Sequence, residues 1–304
     1  MEVKQTPPPS LSPSPTTDED DLCTIEVPAM AMDCVTLLIG LCGLVGNGAV
    51  LWLLGFRIRR NPVTVYILNL AISDFTFLLF MLTSSLLNML ENFYCSTGFL
   101  KYLQPLFLLS LFSYNMGLYL LTAISIERCA SVVFPLWYRC RRPQWLSAVV
   151  CALLWALSIA VIAAVSSLCL AHQQEHCQTA LISMYAVEFL IFAPPMVISK
   201  VILFFKVLCV SQEPQPKRLY IVISLTVFFF LLFALPLSIW SFLQQFGYSF
   251  MSSQVVFLLA CISSSINPFI YFLVGSCRRH CSWVSLQVAF QRVFEETGLT
   301  TISS

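Results

Sequence analysis

Seven apolar stretches recur along the chain, near residues 33–56, 64–88, 104–127, 146–168, 179–206, 219–243 and 252–274. Each is long enough to cross about 30 Å of hydrocarbon as a helix of roughly 20 residues. They predict an all-α membrane protein, a bundle of seven transmembrane helices. The stretches differ in length and polar content and show no internal repeat, unlike a transporter built from two related halves. Strand-like alternation is absent, which excludes a barrel. Ahead of the bundle, residues 1–30 are rich in Pro, Ser and Thr and lack the apolar core and cleavage site of a signal peptide. They read as a disordered, uncleaved extracellular tail, with the first span as its own insertion signal. The membrane domain then covers 31–275. In the remainder, 276–304, a basic cluster leads into Trp283, Val284, Leu286, Val288, Phe290 and Phe294. That mixture predicts a short amphipathic helix lying along the inner leaflet, with membrane lipid as its partner.

Composition agrees with the pattern: of 304 residues 58% are hydrophobic and 10% charged, and the mean hydropathy is +0.84. Charge adds orientation. Arg57, Arg59 and Arg60 follow span one; Arg139, Arg141 and Arg142 follow span three; Lys217 and Arg218 precede span six; Arg278 and Arg279 follow span seven. These four clusters share one face, which the positive-inside rule assigns to the cytoplasm. Asp18, Glu19, Asp20 and Asp21 fall on the other face, so the amino terminus is expected outside. The net charge of +1 is a sum over two unlike faces and points to no nucleic acid. No Asn-x-Ser/Thr sequon occurs, and the loop from Cys209 to Pro216 is too short for an inserted domain.

Of the 13 cysteines, Cys23, Cys34, Cys95, Cys169 and Cys177 fall on or near the outer, oxidising face. Cys169 and Cys177 flank a short loop, and a disulfide there would contribute at most about 2 to 3 kcal/mol on a chain-entropy estimate. The alternative is two free thiols near the lipid interface. Cys23 with Cys95 is a second possible pairing, since connectivity does not follow from sequence. Cys277 and Cys281, beside the basic cluster at the inner leaflet, are palmitoylation candidates.

Polar side chains inside spans carry the strongest functional signal. Asn47 in span one, Asp74 in span two, and Ser263, Ser264 and Asn267 in span seven could converge at mid-membrane. A lone carboxylate there is neutral unless a cation or several donors hold it charged. Asp74 therefore binds sodium, titrates as the bundle rearranges, or belongs to a static knot of interhelical hydrogen bonds. Glu127-Arg128-Cys129 closes span three, where Arg128 can snorkel to water or point into a groove. Pro236 removes a backbone bond from span six and makes a hinge there.

Over residues 35 to 290 the chain resembles the rhodopsin-like G-protein-coupled receptors. The residues that carry this are Gly46-Asn47, Leu70-Ala71-Ile72-Ser73-Asp74, Glu127-Arg128-Cys129 with Pro135-Leu136, Trp155, Pro236 and Asn267-Pro268-Phe269-Ile270-Tyr271. Within that class it is similar to the Mas-related receptors, in Arg59 to Pro62, Tyr119 to Cys129, Cys151 to Ser158 and Asn267 to Gly275. The resemblance implies a receptor and not an enzyme, with no cofactor. Its partners would be a heterotrimeric G protein, Gq with Gi as the alternative, an extracellular peptide or small-molecule agonist, and a receptor dimer.

Departures from the broader class refine this. Leu103 stands where the class has a cysteine at the top of span three, and Cys169 with Cys177 resembles the Mas-related disulfide between spans four and five. Ala234 replaces the span-six tryptophan toggle. Gly117 replaces a serine that helps hold sodium, which argues against sodium at Asp74. Pro216 stands where many relatives carry an acid, so Arg128 has no ion pair to span six there, and some basal signalling is implied. Ser110 and Cys261 replace the amine-binding Asp and the retinal-binding Lys. Val165 and Leu181 replace acids found in members that take cationic ligands. For the ligand there remain Glu188, two turns before Pro195, and Tyr185, Phe192, Tyr114, Trp240, Gln244, Tyr248 and Gln254. These would form an aromatic wall with one carboxylate, suited to a basic or amphipathic ligand; for each aromatic the alternative is ordinary helix packing.

On the inner face the resemblance implies that agonist swings span six outward about Pro236. That opens a groove lined by Arg128 and Tyr271 for the carboxy-terminal helix of Gα, with Leu136 as an apolar plug and Asn267-Pro268 in the switching span. Three other readings remain at the level of sequence. A transporter or channel would use Asp74 and Glu188 to line a path. A membrane enzyme would need a metal set that His172, His176 and His280, all in loops or tail, do not supply. A third is a receptor-like protein that signals without any agonist, or does not signal and only modifies a partner receptor.

Overall fold

The computed structural model describes residues 27–58, 61–94, 100–170, 174–192, 194–199, 201–202, 217–233, 235–248, 251–276 and 286–294, and among them helix is the only regular structure. Seven helices are long and apolar enough to cross a membrane: Pro28–Arg57, Pro62–Tyr94, Lys101–Ser131, Leu146–Cys169, His176–Ser199, Ile221–Gln244 and Ser253–Ser276. They coincide with the seven predicted stretches and mostly extend a few residues beyond them, because backbone hydrogen bonding does not stop at the edge of the apolar run. The end carrying Arg57, Arg141 and Arg142 is called the inner end below. The Cys23–Cys95 pairing and the palmitoylation candidates Cys277 and Cys281 lie outside the described residues.

Local chemistry sets the helix boundaries. Asn61 caps span two: its Oδ1 accepts from the Val63 and Thr64 backbone N–H groups at 3.0 and 2.9 Å, and the Asn61 N–H donates to Thr64 Oγ1 at 2.8 Å. Pro62 follows as the first helical residue, where its missing N–H is not needed. Pro135 likewise opens a short helix, Pro135–Cys140, in the second inner loop. In span six the described helix covers Lys217–Phe233, the inner piece, and Leu235–Gln244, the outer piece. Pro236, the residue predicted to hinge the span, lies near the start of the outer stretch. Spans one and five each contain a π-helical turn, Leu53–Arg57 and Glu188–Phe192.

Small residues let spans one, two and seven approach closely. A Cβ on Gly43 would lie 2.7 Å from Leu78 Cδ1 and would collide with Ser265, and one on Gly46 would lie 3.0 Å from Pro268 Cβ. Close backbone approach is what helix association in lipid relies on, since lipid tails are as apolar as leucine. Two apolar cores fill the bundle. One, around Tyr66, Leu120, Ile223 and Tyr271, fills the inner half; the other, around Phe77, Tyr114, Trp240 and Cys261, fills the outer half.

The tail helix forms as Leu286–Phe294, and much of its apolar face packs on the bundle. Ala289, Phe290, Val293 and Phe294 are all buried against the inner end of the bundle. The physical reason is that Tyr271, Gly275 and the inner end of span one already present an apolar surface, which the helix covers before it meets the bilayer.

Candidate functional site

At mid-membrane the polar side chains singled out by sequence do converge. Asn267 Nδ2 donates to Asp74 Oδ2 at 2.7 Å, joining spans seven and two, and Ser264 lies near the same carboxylate. Asn47 Nδ2 donates to the Ser264 carbonyl at 3.0 Å and to the Gly43 carbonyl at 3.0 Å. A third serine, Ser265, donates to the Ile39 carbonyl at 3.2 Å, while Ser263 is buried beside them. Ser73 Oγ donates to the Ser113 carbonyl at 2.6 Å, and Gly117 lies near that hydroxyl with no side-chain oxygen to offer. Asp74 is therefore met by a hydrogen-bond donor from span seven and belongs to an interhelical polar network.

The inner end of span three is built around an ion pair that sequence did not predict. Glu127 Oε1 pairs with Arg142 Nε at 2.5 Å. Arg142 also donates from Nη2 to Ser147 Oγ at 2.5 Å and lies over the Tyr138 ring, 5.2 Å from its centroid. Burial pushes the Tyr138 hydroxyl up to about 12, against the opposing pull of the Arg128 charge. Arg142 and Tyr138 thereby clamp the second inner loop onto span three. Leu136, on the same short helix, is left 80% exposed. Arg128 itself is 4% exposed, and Ser131 Oγ donates to its carbonyl at 2.8 Å. Cys129 is partly exposed, with its thiol free. Tyr271 faces Thr226 of span six.

In the outer half, Phe77, Met81, Phe107, Ser110, Leu111, Tyr114, Leu237, Ser241 and Phe257 line a cavity of about 10 Å³, roughly the room one water needs. Of the predicted ligand residues Tyr114 is the one that lines it. Its hydroxyl and Ser238 Oγ are 2.7 Å apart, and its ring stacks on Phe230 with centroids 6.0 Å apart. Span three is thus bonded to span six just beyond Pro236. Trp240 Nε1 donates to the Met251 carbonyl at 3.0 Å, and Trp240 meets Phe257 edge-on at 5.8 Å. Tyr185 is buried beside Ser241. Gln244 and Tyr248 are exposed at the outer end, and Gln254 is half-buried.

Glu188 is placed differently from a pocket wall. It is 2% exposed, in the seam between spans three and five, and its Oε1 accepts from the Tyr119 hydroxyl at 3.5 Å. Oε2 has no hydrogen-bond partner. Phe192, one turn on, stacks on Tyr119 with centroids 4.1 Å apart. These two residues belong to the span three–five contact, beside Tyr114 and Tyr185 rather than open to the outer face.

At the outer end, Cys169 and Cys177 form a disulfide with Cα atoms 4.3 Å apart, joining spans four and five. The sequence reading missed Asp33, buried between spans one and two against Ser85. An acid in the first turns of an apolar stretch was the available signal. Arg142, Ser238 and Tyr119 carried none, because each acts through a partner far away in the chain.

The family model for the 7 transmembrane receptor (rhodopsin family) matches residues 46–271. The Proto-oncogene Mas of Rattus norvegicus is 40% identical over 285 residues, covering 90% of this chain and 87% of the rat protein. The Homo sapiens Proto-oncogene Mas is 41% identical, over 84% of this chain and 80% of its own length. The Mas-related G-protein coupled receptor member H of Rattus norvegicus is 42% identical, over 86% of this chain and 83% of its own.

Proposed function

Because this chain belongs to the rhodopsin-family seven-transmembrane receptors, and within them to the Mas and Mas-related group, we propose that it passes an extracellular peptide or small amphipathic signal to Gq, with Gi as its second partner. Membership makes it a multi-pass plasma-membrane receptor that signals through G proteins, and not an enzyme. The finer reading places the amino terminus outside and the agonist among Tyr114, Tyr185, Trp240, Gln244, Tyr248 and Gln254.

The observation that supports it best is the Tyr114–Ser238 bond. Tyr114 lines the outer cavity, and Ser238 lies two residues past Pro236, on the outer piece of span six. A ligand that enlarges the cavity must displace Tyr114, and that removes the bond holding the outer piece in place. The toggle tryptophan of the wider class is Ala234 here, so the Tyr114–Phe230 stack takes over the link between pocket and span six. Ligand would act by favouring the opened state, to the extent of its differential affinity for it. Glu188 supplies a carboxylate to a basic ligand group once Tyr119 and Tyr185 part. At the inner end, outward movement of span six uncovers Arg128 and Tyr271 for Gα, and Leu136 inserts as the plug.

The test is ligand-free signalling in cells at matched surface expression, reading inositol phosphate and cAMP. Wild type is expected to raise inositol phosphate above mock, Arg128→Ala to abolish the rise, and Tyr114→Phe to increase it by releasing Ser238. A Tyr114→Phe receptor with an unchanged or lower signal would sink the proposed link, and a cAMP response alone would move the coupling to Gi.

A further inference from the structure

Among the described residues three acids are buried, Asp33, Asp74 and Glu188. Asp74 is answered by Asn267, and Glu188 lies against Tyr119 in the seam of spans three and five. Asp33 belongs to the outer part of span one and is 5% exposed. Ser85 of span two lies beside it, and its Oδ2 has no hydrogen-bond partner. A carboxylate offers about four acceptor sites, and one hydroxyl fills one of them. Its own helix adds nothing. The Thr36 hydroxyl donates to the Met32 carbonyl at 2.9 Å, and Asp33 lies beyond the first turn of Val27–Trp52, where an acid would meet the free N–H groups of the helix start. Nor does a cation answer it. The one ion pair among the described residues is Arg142–Glu127 at the inner end, and Lys101, the lysine of the outer half, lies over the Tyr102 ring, 4.9 Å from its centroid.

The outer cavity has the opposite character, since no side chain that lines it carries a charge. Ser110 Oγ donates to the Phe107 carbonyl at 2.7 Å, and the Tyr114 hydroxyl is held by Ser238. Aromatic and aliphatic surface is what remains. Met81 forms part of its span-two wall, and Ser85 lies one turn further out on the same helix, about 6 Å along the axis. An apolar cavity and an unanswered carboxylate are thus about one helical turn apart.

We propose that Asp33 is the anionic contact of the agonist site, taking the ammonium or guanidinium group of a ligand whose apolar end enters the cavity at Phe77, Met81 and Tyr114. The inference rests on the reading of that cavity as the agonist site. An ammonium carries donors and no acceptor, the complement of an orphaned carboxylate oxygen. The cost of leaving that oxygen unmatched is present before ligand arrives, and a group that combines charge with N–H donors relieves it most. A neutral ligand relieves less of it, and an anionic one is repelled. A purely structural link between spans one and two is served better by a side chain whose groups are all matched, as the Asn47 amide is matched by the Gly43 and Ser264 carbonyls. Asp33 also lies within about two turns of the outer end of span one, on the side from which a ligand comes.

The experiment uses the full receptor in nanodiscs and a series of phenylalkylamines from phenethylamine to phenylhexylamine, each paired with the alcohol of the same chain length. Binding is read as the concentration that raises the melting temperature half-maximally. The amines are expected to bind wild type more tightly than their alcohols, and best near phenylbutylamine, whose chain spans about the rise of one helical turn. Asp33→Asn, nearly the same size, should weaken the amines about tenfold and leave the alcohols unchanged. Asp33→Glu should keep the preference for amines and move the best chain one carbon shorter, a shift that a structural role for Asp33 does not produce. Ser110→Phe fills the cavity and should weaken amines and alcohols alike. No amine binding to wild type, an amine preference that Asp33→Asn retains, or one that Glu188→Gln removes in its place, overturns the inference. If Ser110→Phe leaves amine binding intact while Asp33→Asn removes it, the cavity reading fails and Asp33 stands as the basic contact without it.

Discussion

Spans one, two, three and seven are joined to one another by hydrogen bonds of 2.6 to 3.2 Å: Ser73 to Ser113, Asp74 to Asn267, Asn47 to Ser264 and Ser265 to Ile39. Spans four and five reach span three through bonds at the long limit. Ser158 to Phe112 and Tyr119 to Glu188 are 3.5 Å and Thr122 to Phe192 is 3.4 Å, while Asn115 reaches span five through the weak sulfur acceptor of Met184 at 3.5 Å. Burial follows the same division, with 72% of the apolar window of span three inside the protein against 17% for span four. The difference marks a fixed half and a loosely held half. In lipid, burial of apolar surface gives little drive for one helix to seek another, so polar contacts and close packing decide which helices stay together. Among the described residues the looser half is tied by the Cys169–Cys177 disulfide, the Trp155–Asn69 bond, 2.9 Å, the Arg142–Ser147 bond, 2.5 Å, and the bond from Gln178 to the Gln245 carbonyl.

Four substitutions test this division. The largest effect is expected in the fixed half: Gly43→Val forces two methyls against Ser265 and Leu78 and should cost ~3 kcal/mol or more, seen as lost surface expression or a lower melting temperature in detergent. Next comes Cys177→Ser, which should cost ~2 kcal/mol by freeing the outer ends of spans four and five. Hydrogen exchange is expected to rise in those two spans while spans one, two and seven stay protected. A rise spread evenly over all seven would contradict the division. Glu127→Gln should cost ~1 to 2 kcal/mol, since the pair is mostly but not wholly out of water, and Glu127→Gln/Arg142→Gln should cost less than the two singles combined. An additive cycle would show that the ion pair does not couple the second inner loop to span three. Trp155→Phe is the smallest, ~0.6 kcal/mol for one interhelical bond, but it should loosen span four and leave spans one and seven unchanged.

The seven spans were legible because hydrocarbon thickness imposes one length on every crossing helix. The convergence of Asn47, Asp74, Ser264 and Asn267 was legible for a related reason, as a polar side chain in an apolar span needs a partner. Which neighbour answers was less so. In the run Ser263-Ser264-Ser265, the hydroxyl that reaches span one belongs to Ser265, since each step along a helix turns the side chain by about 100°. Arg142 pairs with Glu127 across a loop whose path no periodicity describes. The tail helix shows the limit most clearly. Its apolar face was plain in Leu286, Phe290 and Phe294, but an apolar face reads the same whether lipid or Tyr271 covers it. Glu188 looked like a pocket acid by its distance from Pro195, and its place in the seam depends on a π-helical turn that composition does not announce.

That turn changes how this receptor can be lined up with its relatives. A π-helical turn accommodates one residue more than the α-helix around it, and one residue corresponds to a rotation of about 100°. Everything in span five on the outer side of Glu188–Phe192, including Met184 and Tyr185, is therefore in a different reading frame from Pro195. Counting back from the proline of a relative with an uninterrupted helix assigns Tyr185 the neighbours of the residue beside it. Grafting outer span-five residues from a relative that lacks the turn needs an offset of one, and deleting a single residue within the turn would rotate the outer segment against span three.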